Sequence, residues 1–185
     1  MKRKLMLVAT MAIVLSLFTL GTLAFFTDSD EATNVMTAGN LSILLHDEDG
    51  EGDPFPSGGV NGVMPGNNVD KVVHVENTGD HAAYIRVRLD KSIEAAEGVD
   101  ATLNFNNITL NINTADWELK DGWYYYKHAL AAGATTTDLF TMVSYGTALG
   151  NDYQNARVEI DVLAQAVQVA NNTASSLTAG GWPNP

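Results

Sequence analysis

The segment "HAAYIRVRLD", from His81 to Asp90, alternates apolar and polar residues almost without a break. A period of two predicts a β-strand with one face in the core and the other face outside. Shorter runs of the same kind recur through most of the chain after residue 40, and helical periodicity is almost absent. The chain is therefore expected to be mainly antiparallel β. In this strand the inward positions are Ala83, Ile85, Val87 and Leu89, and the outward positions are Tyr84, Arg86, Arg88 and Asp90.

Turn signals separate the predicted strands at fairly even spacing. The clearest is Asp121-Gly122, which lies between two aromatic-rich runs and predicts a tight hairpin with positive φ in the turn. About seven to nine short strands predict an all-β, antiparallel sandwich with at most one or two short helices. The segment from Asp90 to Val99 favours a short helix or helical turn that ends at Gly98.

An export signal is predicted at the N-terminus. Three basic residues at positions 2–4 precede an uncharged, largely apolar run at 5–27, which is the order of a secretory signal peptide. Small residues near the end of the run predict cleavage between Ala24 and Phe25. The alternative is an uncleaved anchor, because the run is also long enough to cross a bilayer. Both interpretations place the rest of the chain outside the cytoplasm, with membrane contact only through the uncleaved signal.

Charge and cysteine content exclude several classes of function. The 185 residues carry a formal net charge of −12, so nucleic acid and anionic lipid are not expected partners. The chain has no cysteine, which removes disulfides, thiol catalysis and cysteine-based zinc sites. A chain of this length buries enough surface to fold without such cross-links.

The pattern divides the chain into four parts. A signal peptide (1–24) is followed by an N-terminal segment (25–39), a β-sandwich domain (40–170) and a polar, Gly- and Pro-rich tail (171–185). One folded domain is therefore expected.

An acidic loop, "HDEDGEGDPFPSGG", is a candidate calcium site. Asp47, Asp49, Glu51 and Asp53 recur at every second position, which resembles the start of an EF-hand loop. The match is partial, because Gly58 stands where that loop has a bidentate Glu and no helices flank the segment. A solvated acidic loop without a metal ion is the alternative, and no other cofactor is indicated.

Catalytic signatures are missing. A zinc peptidase motif needs two histidines one helical turn apart with a glutamate between them, and none of His46, His74, His81 and His128 belongs to such a pattern. His74 is expected to be a solvent-facing strand residue. No G-x-S-x-G elbow and no phosphate-binding glycine loop occur either. The sequence therefore predicts that the protein is not an enzyme.

The aromatic run after the hairpin turn allows a carbohydrate-binding platform. Alternation sends Trp123 and Tyr125 to one face of the strand and Tyr124 and Tyr126 to the other. One pair is then in the core and the other pair on the surface. A surface pair either stacks on a sugar or serves cross-strand packing alone.

The order of several motifs resembles the TasA/camelysin family over nearly the whole chain. These motifs are "GTLAFFTD", "TNVMTAGNLSI", "MPGNNVDKVVHVENTGDHAAYIRVRL", "DGWYYYKHALAAGATTTDLF" and "VEIDVLAQAVQ". The resemblance implies a jelly-roll-like β-sandwich, secretion by a Gram-positive bacterium, and removal of the signal by a dedicated signal peptidase. It also implies a biofilm-matrix fibre in which the N-terminal segment of one subunit completes the sheet of the next. Camelysin-type members carry a metalloprotease label.

The resemblance assigns the role of the donated strand to the segment from Phe25 to Asn34. A cut after Ala24 leaves Phe25 and Phe26 at a free N-terminus, and burial of each ring is worth about 1.5–3 kcal/mol. Phe25 and Thr27 would face one side of a strand, and Phe26 and Asp28 the other. The segment either fills a sheet of its own domain or is donated to a neighbour.

The sequence thus predicts a secreted structural protein whose partner is itself, as a homopolymer, or a related matrix subunit. Two other classes stay open. One is a monomeric cell-surface module that binds calcium or carbohydrate, and the other is a camelysin-like metalloprotease.

Overall fold

Two four-stranded antiparallel sheets make up the computed structural model, which describes residues 41–56 and 64–183. Within these residues the chain forms strands β1 to β8 and two short 3₁₀ turns, Asn151–Tyr153 and Ser176–Thr178. The prediction of an all-β sandwich is confirmed. The strands are β1 (Ile43–Glu48), β2 (Asn68–Asn77), β3 (Ala83–Glu94), β4 (Ile108–Leu110), β5 (Trp117–Lys120), β6 (Trp123–Tyr126), β7 (Phe140–Tyr145) and β8 (Arg157–Gln168).

The strand order joins segments that are distant in sequence. Sheet A has the order β1-β2-β7-β4, and sheet B has the order β5-β6-β3-β8. Strands β1 and β8 each end their sheet and contact each other. The two sheets therefore present neighbouring edges on one side of the sandwich.

One apolar cluster joins the two sheets. Alternate residues of β2 and β3 supply much of it, with Val73, Val75, Ile85 and Val87 buried. Ala83 is also buried as predicted, whereas Leu89 only packs against the edge of the cluster. The period-two pattern therefore identified the core face of the central strands correctly.

Strand β3 is longer than the sequence suggested. No helix forms at 90–99, because β3 continues to Glu94; a turn with Gly98 at φ 84° follows, which agrees with the alternative of a turn only after the strand ends. Strand β8 pairs with every residue of β3, from Ala83 opposite Gln168 to Glu94 opposite Arg157. Such a continuous ladder outweighs a weak local preference for helix.

The predicted hairpin is present between β5 and β6. Asp121 and Gly122 have φ values of 51° and 80°, which match the two positive φ angles of a type I′ turn. Trp117 pairs with Tyr126, and Lys120 pairs with Trp123. The turn therefore sets the register of the aromatic strand.

The C-terminal segment, residues 171–183, crosses the outer face of sheet B. The Tyr84 hydroxyl donates to the Thr173 carbonyl at 2.9 Å, and the Lys120 ammonium donates to the Leu177 carbonyl at 2.9 Å. The Trp182 ring lies 4.5 Å from the Arg86 guanidinium. The part of the predicted tail that the structure describes is thus an ordered cover over this sheet.

No helix within residues 41–56 and 64–183 has the length and apolar character needed to cross a membrane.

Candidate functional site

Two histidines lie side by side on the outer face of sheet A. The register of β1 and β2 places His46 directly opposite His74, and the neighbouring positions Leu45 and Val75 are buried in the core. The imidazole rings are stacked, with centroids 4.6 Å apart and planes 17° from parallel. The pleat of two adjacent strands therefore holds both rings without help from a loop.

Three carboxylates surround these rings. Glu48 Oε1 lies 2.9 Å from Nδ1 of His46, and Glu76 Oε2 lies 3.2 Å from Nε2 of the same ring. Asp138 Oδ1 lies 3.2 Å from Nδ1 of His74. A neutral imidazole has one N–H and one lone pair, so neutral His46 turns a lone pair toward one of its two carboxylates. The site consequently favours an added positive charge.

Asp138 reaches His74 from the segment that leads into β7. In that segment the Thr136 N–H donates to the Val75 carbonyl at 2.9 Å, and the Leu139 N–H donates to the Val73 carbonyl at 2.7 Å. The Nδ1 atom of His74 is buried, and its contact with Asp138 lacks hydrogen-bond geometry. A buried polar atom without a hydrogen bond is costly, which marks this nitrogen as a candidate ligand atom.

Three of these residues form a potential metal-binding group. One nitrogen or oxygen from each of His46, Glu48 and His74 lies within 4.8 Å of the others, and no further such group occurs in residues 41–56 and 64–183. Two imidazoles and one carboxylate are a donor set found in zinc sites that keep a fourth position open. The chemistry of the group therefore fits zinc or a similar divalent ion.

The sequence did not by itself indicate this group. Its signal was the repeat of His-x-Glu in "ILLHDE" and "KVVHVE", but the first of these motifs fell in the predicted acidic loop and not in a predicted strand. Alternation places the histidine and glutamate of each motif on one face. The pairing of the two strands, which brings the two motifs together, was not predicted.

Two of the four acidic residues of the predicted calcium loop, Asp47 and Asp49, already bind groups of the protein itself. Asp47 lies in β1 and forms an ion pair with the ammonium group of Lys71. Asp49 Oδ1 accepts hydrogen bonds from the backbone N–H groups of Glu51 and Asp53, at 2.8 and 3.1 Å. Asp47 and Asp49 thus have structural roles already, and the calcium site stays a prediction.

The outer aromatic pair on β6 is covered rather than open. Trp123 and Tyr125 share the outer face of sheet B, as alternation predicted, and both are buried. The Arg86 guanidinium lies 4.0 Å from the Trp123 ring, and Trp182 meets Tyr125 edge to face at 5.6 Å. The protein's own arginine and C-terminal segment therefore occupy the faces that a sugar would stack on.

The predicted cleavage site and donor residues lie outside the described part of the chain. They are Ala24, Phe25, Phe26, Thr27, Asp28 and Asn34.

Comparison with family models gives a match over residues 1–121, to the family described as camelysin metallo-endopeptidase. The chain belongs to the TasA/camelysin family. The matched region contains β1 and β2, and with them His46, Glu48 and His74. No individual curated protein gives a significant match to the chain. The family is of secreted type, which agrees with the predicted export signal.

The family description names a metal-dependent activity, and in the described part of the chain His46, Glu48 and His74 are a group that fits a metal ion. A zinc ion held by His46, Glu48 and His74 would supply a Lewis acid and could activate water. Family membership does not itself assign an activity to this chain.

Proposed function

We propose that the protein is a secreted matrix protein that assembles into fibres, in which residues 25–34 of one copy complete a sheet of the next copy. Family membership supports this function. The observation that carries the assembly mode is the pair of adjacent sheet edges, β1 and β8. An edge strand presents backbone donors and acceptors to an added strand.

Strand β8 is the more favourable acceptor. It spans Arg157–Gln168 and ends sheet B beyond β3. Among the described residues, an added strand would find a long, regular ladder there, whereas β1 is half that length, Ile43–Glu48. Backbone hydrogen bonds along β8 would supply affinity, and side-chain pockets would supply specificity.

A cavity lies at the end of this edge. It has a volume of about 240 Å³, and its lining mixes apolar residues, among them Leu41, Ala166 and Pro183, with the polar residues Gln168 and Asn172. A cavity of this size accommodates one aromatic ring, so a phenylalanine of the donor segment is a suitable occupant. In a monomer the same ring would enter the cavity of its own chain, and in a fibre that of a neighbour.

The same proposal sets partners and location. The protein would be exported, released by a dedicated signal peptidase and held at the cell surface or in a biofilm matrix, with another copy or a related subunit as its partner. The net charge of −12 supports solubility and disfavours nucleic acid. We propose no catalytic role, because the sequence lacks the His-Glu-x-x-His motif of zinc peptidases.

Electron microscopy of two purified forms tests the assembly mode. A protein that begins at Phe25 should form filaments, and one that begins at Val35 should stay monomeric. The double substitution Phe25→Ser, Phe26→Ser should abolish filaments because it removes the apolar anchors, and Thr27→Ser should leave them intact. Filaments from the form that begins at Val35 would contradict strand donation.

A further inference from the structure

We infer that His46, Glu48 and His74 form a binding site for one divalent ion of the zinc type, and that this ion fastens edge strand β1 to β2. The inference goes beyond fibre assembly, because it assigns a ligand to the outer face of sheet A. It concerns this chain's own residues and requires no catalytic activity.

The ligands come from two paired strands, so the site is largely preorganised. His46 and His74 face each other across the ladder, and Glu48 lies two positions after His46 on the same face of β1. Neither strand needs to move for the three side chains to converge. An ion bound to all three would bridge β1 and β2 near the end of the ladder formed by Glu48 and Val72.

The local charge favours a cation over an empty site. Three carboxylates, from Glu48, Glu76 and Asp138, contact the two imidazoles. Nδ1 of His74 is also buried and has no hydrogen bond. One divalent ion can bind both rings and offset two of the carboxylate charges.

Glu76 is suited to orient a ligand. When Nδ1 of His46 binds the ion beside Glu48, Nε2 carries the proton and donates to Glu76, now 3.2 Å away. Carboxylates that fix the tautomer of a histidine ligand raise metal affinity, so Glu76 is a positioning residue rather than a ligand. Asp138 instead lies beside Nδ1 of His74, the candidate ligand atom, and would add negative charge next to the ion.

The donor set selects the kind of ion. Imidazole suits zinc and copper, whereas calcium and magnesium prefer oxygen ligands only. This site therefore differs in its ligand residues and in its chemistry from the predicted calcium site at Asp47, Asp49, Glu51 and Asp53, although His46 and Glu48 lie in the same segment.

Binding requires a small local rearrangement. The ligand atoms lie within 4.8 Å of one another, whereas ligand atoms on one tetrahedral zinc ion lie about 3.3 Å apart. The lone pairs of an imidazole lie in its ring plane, so stacked rings hold them in nearly parallel planes. The two imidazoles should therefore rotate out of their stacked arrangement when the ion binds.

Calorimetric titration of Zn²⁺ into the purified, chelator-treated protein without a polyhistidine tag tests the inference. We expect one zinc ion per chain and a rise in melting temperature. The double variant His46→Gln, His74→Gln should lose binding and the rise. The matched double variant His81→Gln, His128→Gln, which removes the other two histidines of the chain, should keep both. Excess Ca²⁺ should not displace the zinc.

Two further measurements separate metal binding from a folding effect. Glu48→Gln keeps both rings and should weaken zinc binding at least tenfold, and Glu76→Gln should weaken it by roughly tenfold to a hundredfold. Histidine NMR signals should shift for His46 and His74 alone. Absence of zinc binding by the wild type, or its retention in the His46→Gln, His74→Gln variant, would overturn the inference.

Discussion

A lysine lies among the core positions of β2. Lys71 shares the face of Val73 and Val75 and is only 3% exposed. Its ammonium pairs with the carboxylate of Asp47 and lies 3.9 Å from the centre of the Phe55 ring. Burial lowers the pKa of Lys71 from its usual 10.5, and Asp47 partly opposes that shift. The charge is thus held in the interior by one ion pair and one ring.

Lys71 should make stability depend on alkaline pH. The unfolded chain keeps the lysine proton up to about pH 10.5, whereas the folded chain releases it at lower pH. Because the unfolded chain then binds more protons than the folded chain, Lys71 should make the free energy of unfolding rise as the pH rises through that window. Denaturant titrations at several pH values below 10.5 should show this gain in the wild type and not in Lys71→Met.

The comparison must be between variants, because Tyr124 and Tyr145 act in the opposite direction. Burial raises the pKa of both tyrosines above 10.0, so their contribution to stability falls at still higher pH. Lys91→Met, at an exposed position of β3, is the control and should keep the wild-type dependence. An equal dependence in Lys71→Met would contradict the argument.

For single residues, the sequence predicts the face on which a side chain lies but not the residue that it contacts. Alternation alone indicates that Lys71 faces inward with Val73, but it does not name Asp47 as its partner. In the same way, the two His-x-Glu motifs predict one-sided pairs, and only the register of β1 against β2 places His46 opposite His74. A shift of one residue would send one of these motifs to the other face, so the metal-binding group depends on information between strands.

Among the structural elements, the β5–β6 hairpin was the most predictable. Its turn needs positive φ at two successive residues, and Asp-Gly is a dipeptide that supplies them at low cost. The helix expected at 90–99 failed for the opposite reason, since the partner strand β8 lies far away in sequence. The C-terminal cover was also missed, because a polar composition does not reveal that Trp182 would find Arg86.

Substitution of the hairpin glycine should measure the cost of backbone strain alone. A Cβ atom at Gly122 meets no atom within 4 Å, but φ there is 80°. Gly122→Ala should therefore lower the free energy of unfolding by about 1–2 kcal/mol through conformation rather than contact. Denaturant unfolding gives this value directly.

Gly150 offers a matched control for that substitution. A Cβ atom at Gly150 also meets nothing within 4 Å, and its φ of −78° suits any residue. Gly150→Ala should change stability little or raise it slightly. Similar losses at both glycines would show that backbone angle is not the cause.

For the whole molecule, alternation predicted the class of fold but not the strand order. The sandwich follows from many half-buried strands that must cover their apolar faces. The order β1-β2-β7-β4 and β5-β6-β3-β8 depends on pairings between distant segments, which no local pattern encodes. The edges that matter for the proposed assembly were therefore visible only in the structure.

The net charge leads to a prediction about assembly. Each copy carries a formal charge of −12 before any cleavage, so two copies repel each other at low ionic strength. Screening shortens the range of that repulsion from about 30 Å at 0.01 M to about 8 Å at 0.15 M salt. Filaments of the form that begins at Phe25 should consequently grow faster as NaCl is raised over that range.

Light scattering or turbidity, measured without an added dye, would follow the growth of the filaments. KCl at equal concentration should give the same acceleration, because screening does not depend on the identity of a monovalent ion. A growth rate that falls as salt is added would mean that attraction between opposite charges, rather than strand addition against repulsion, drives assembly.

The pairing of β3 with β8 also determines when the protein can fold. In the β3–β8 ladder Ala83 pairs with Gln168, and β2 finds one of its two neighbours in β7. Such non-local ladders form slowly because a long loop must close before any pairing is gained. During synthesis the chain stays without a complete sheet B until Arg157–Gln168 has emerged. In the export that we propose, this delay would help to keep the polypeptide unfolded during its passage through the membrane.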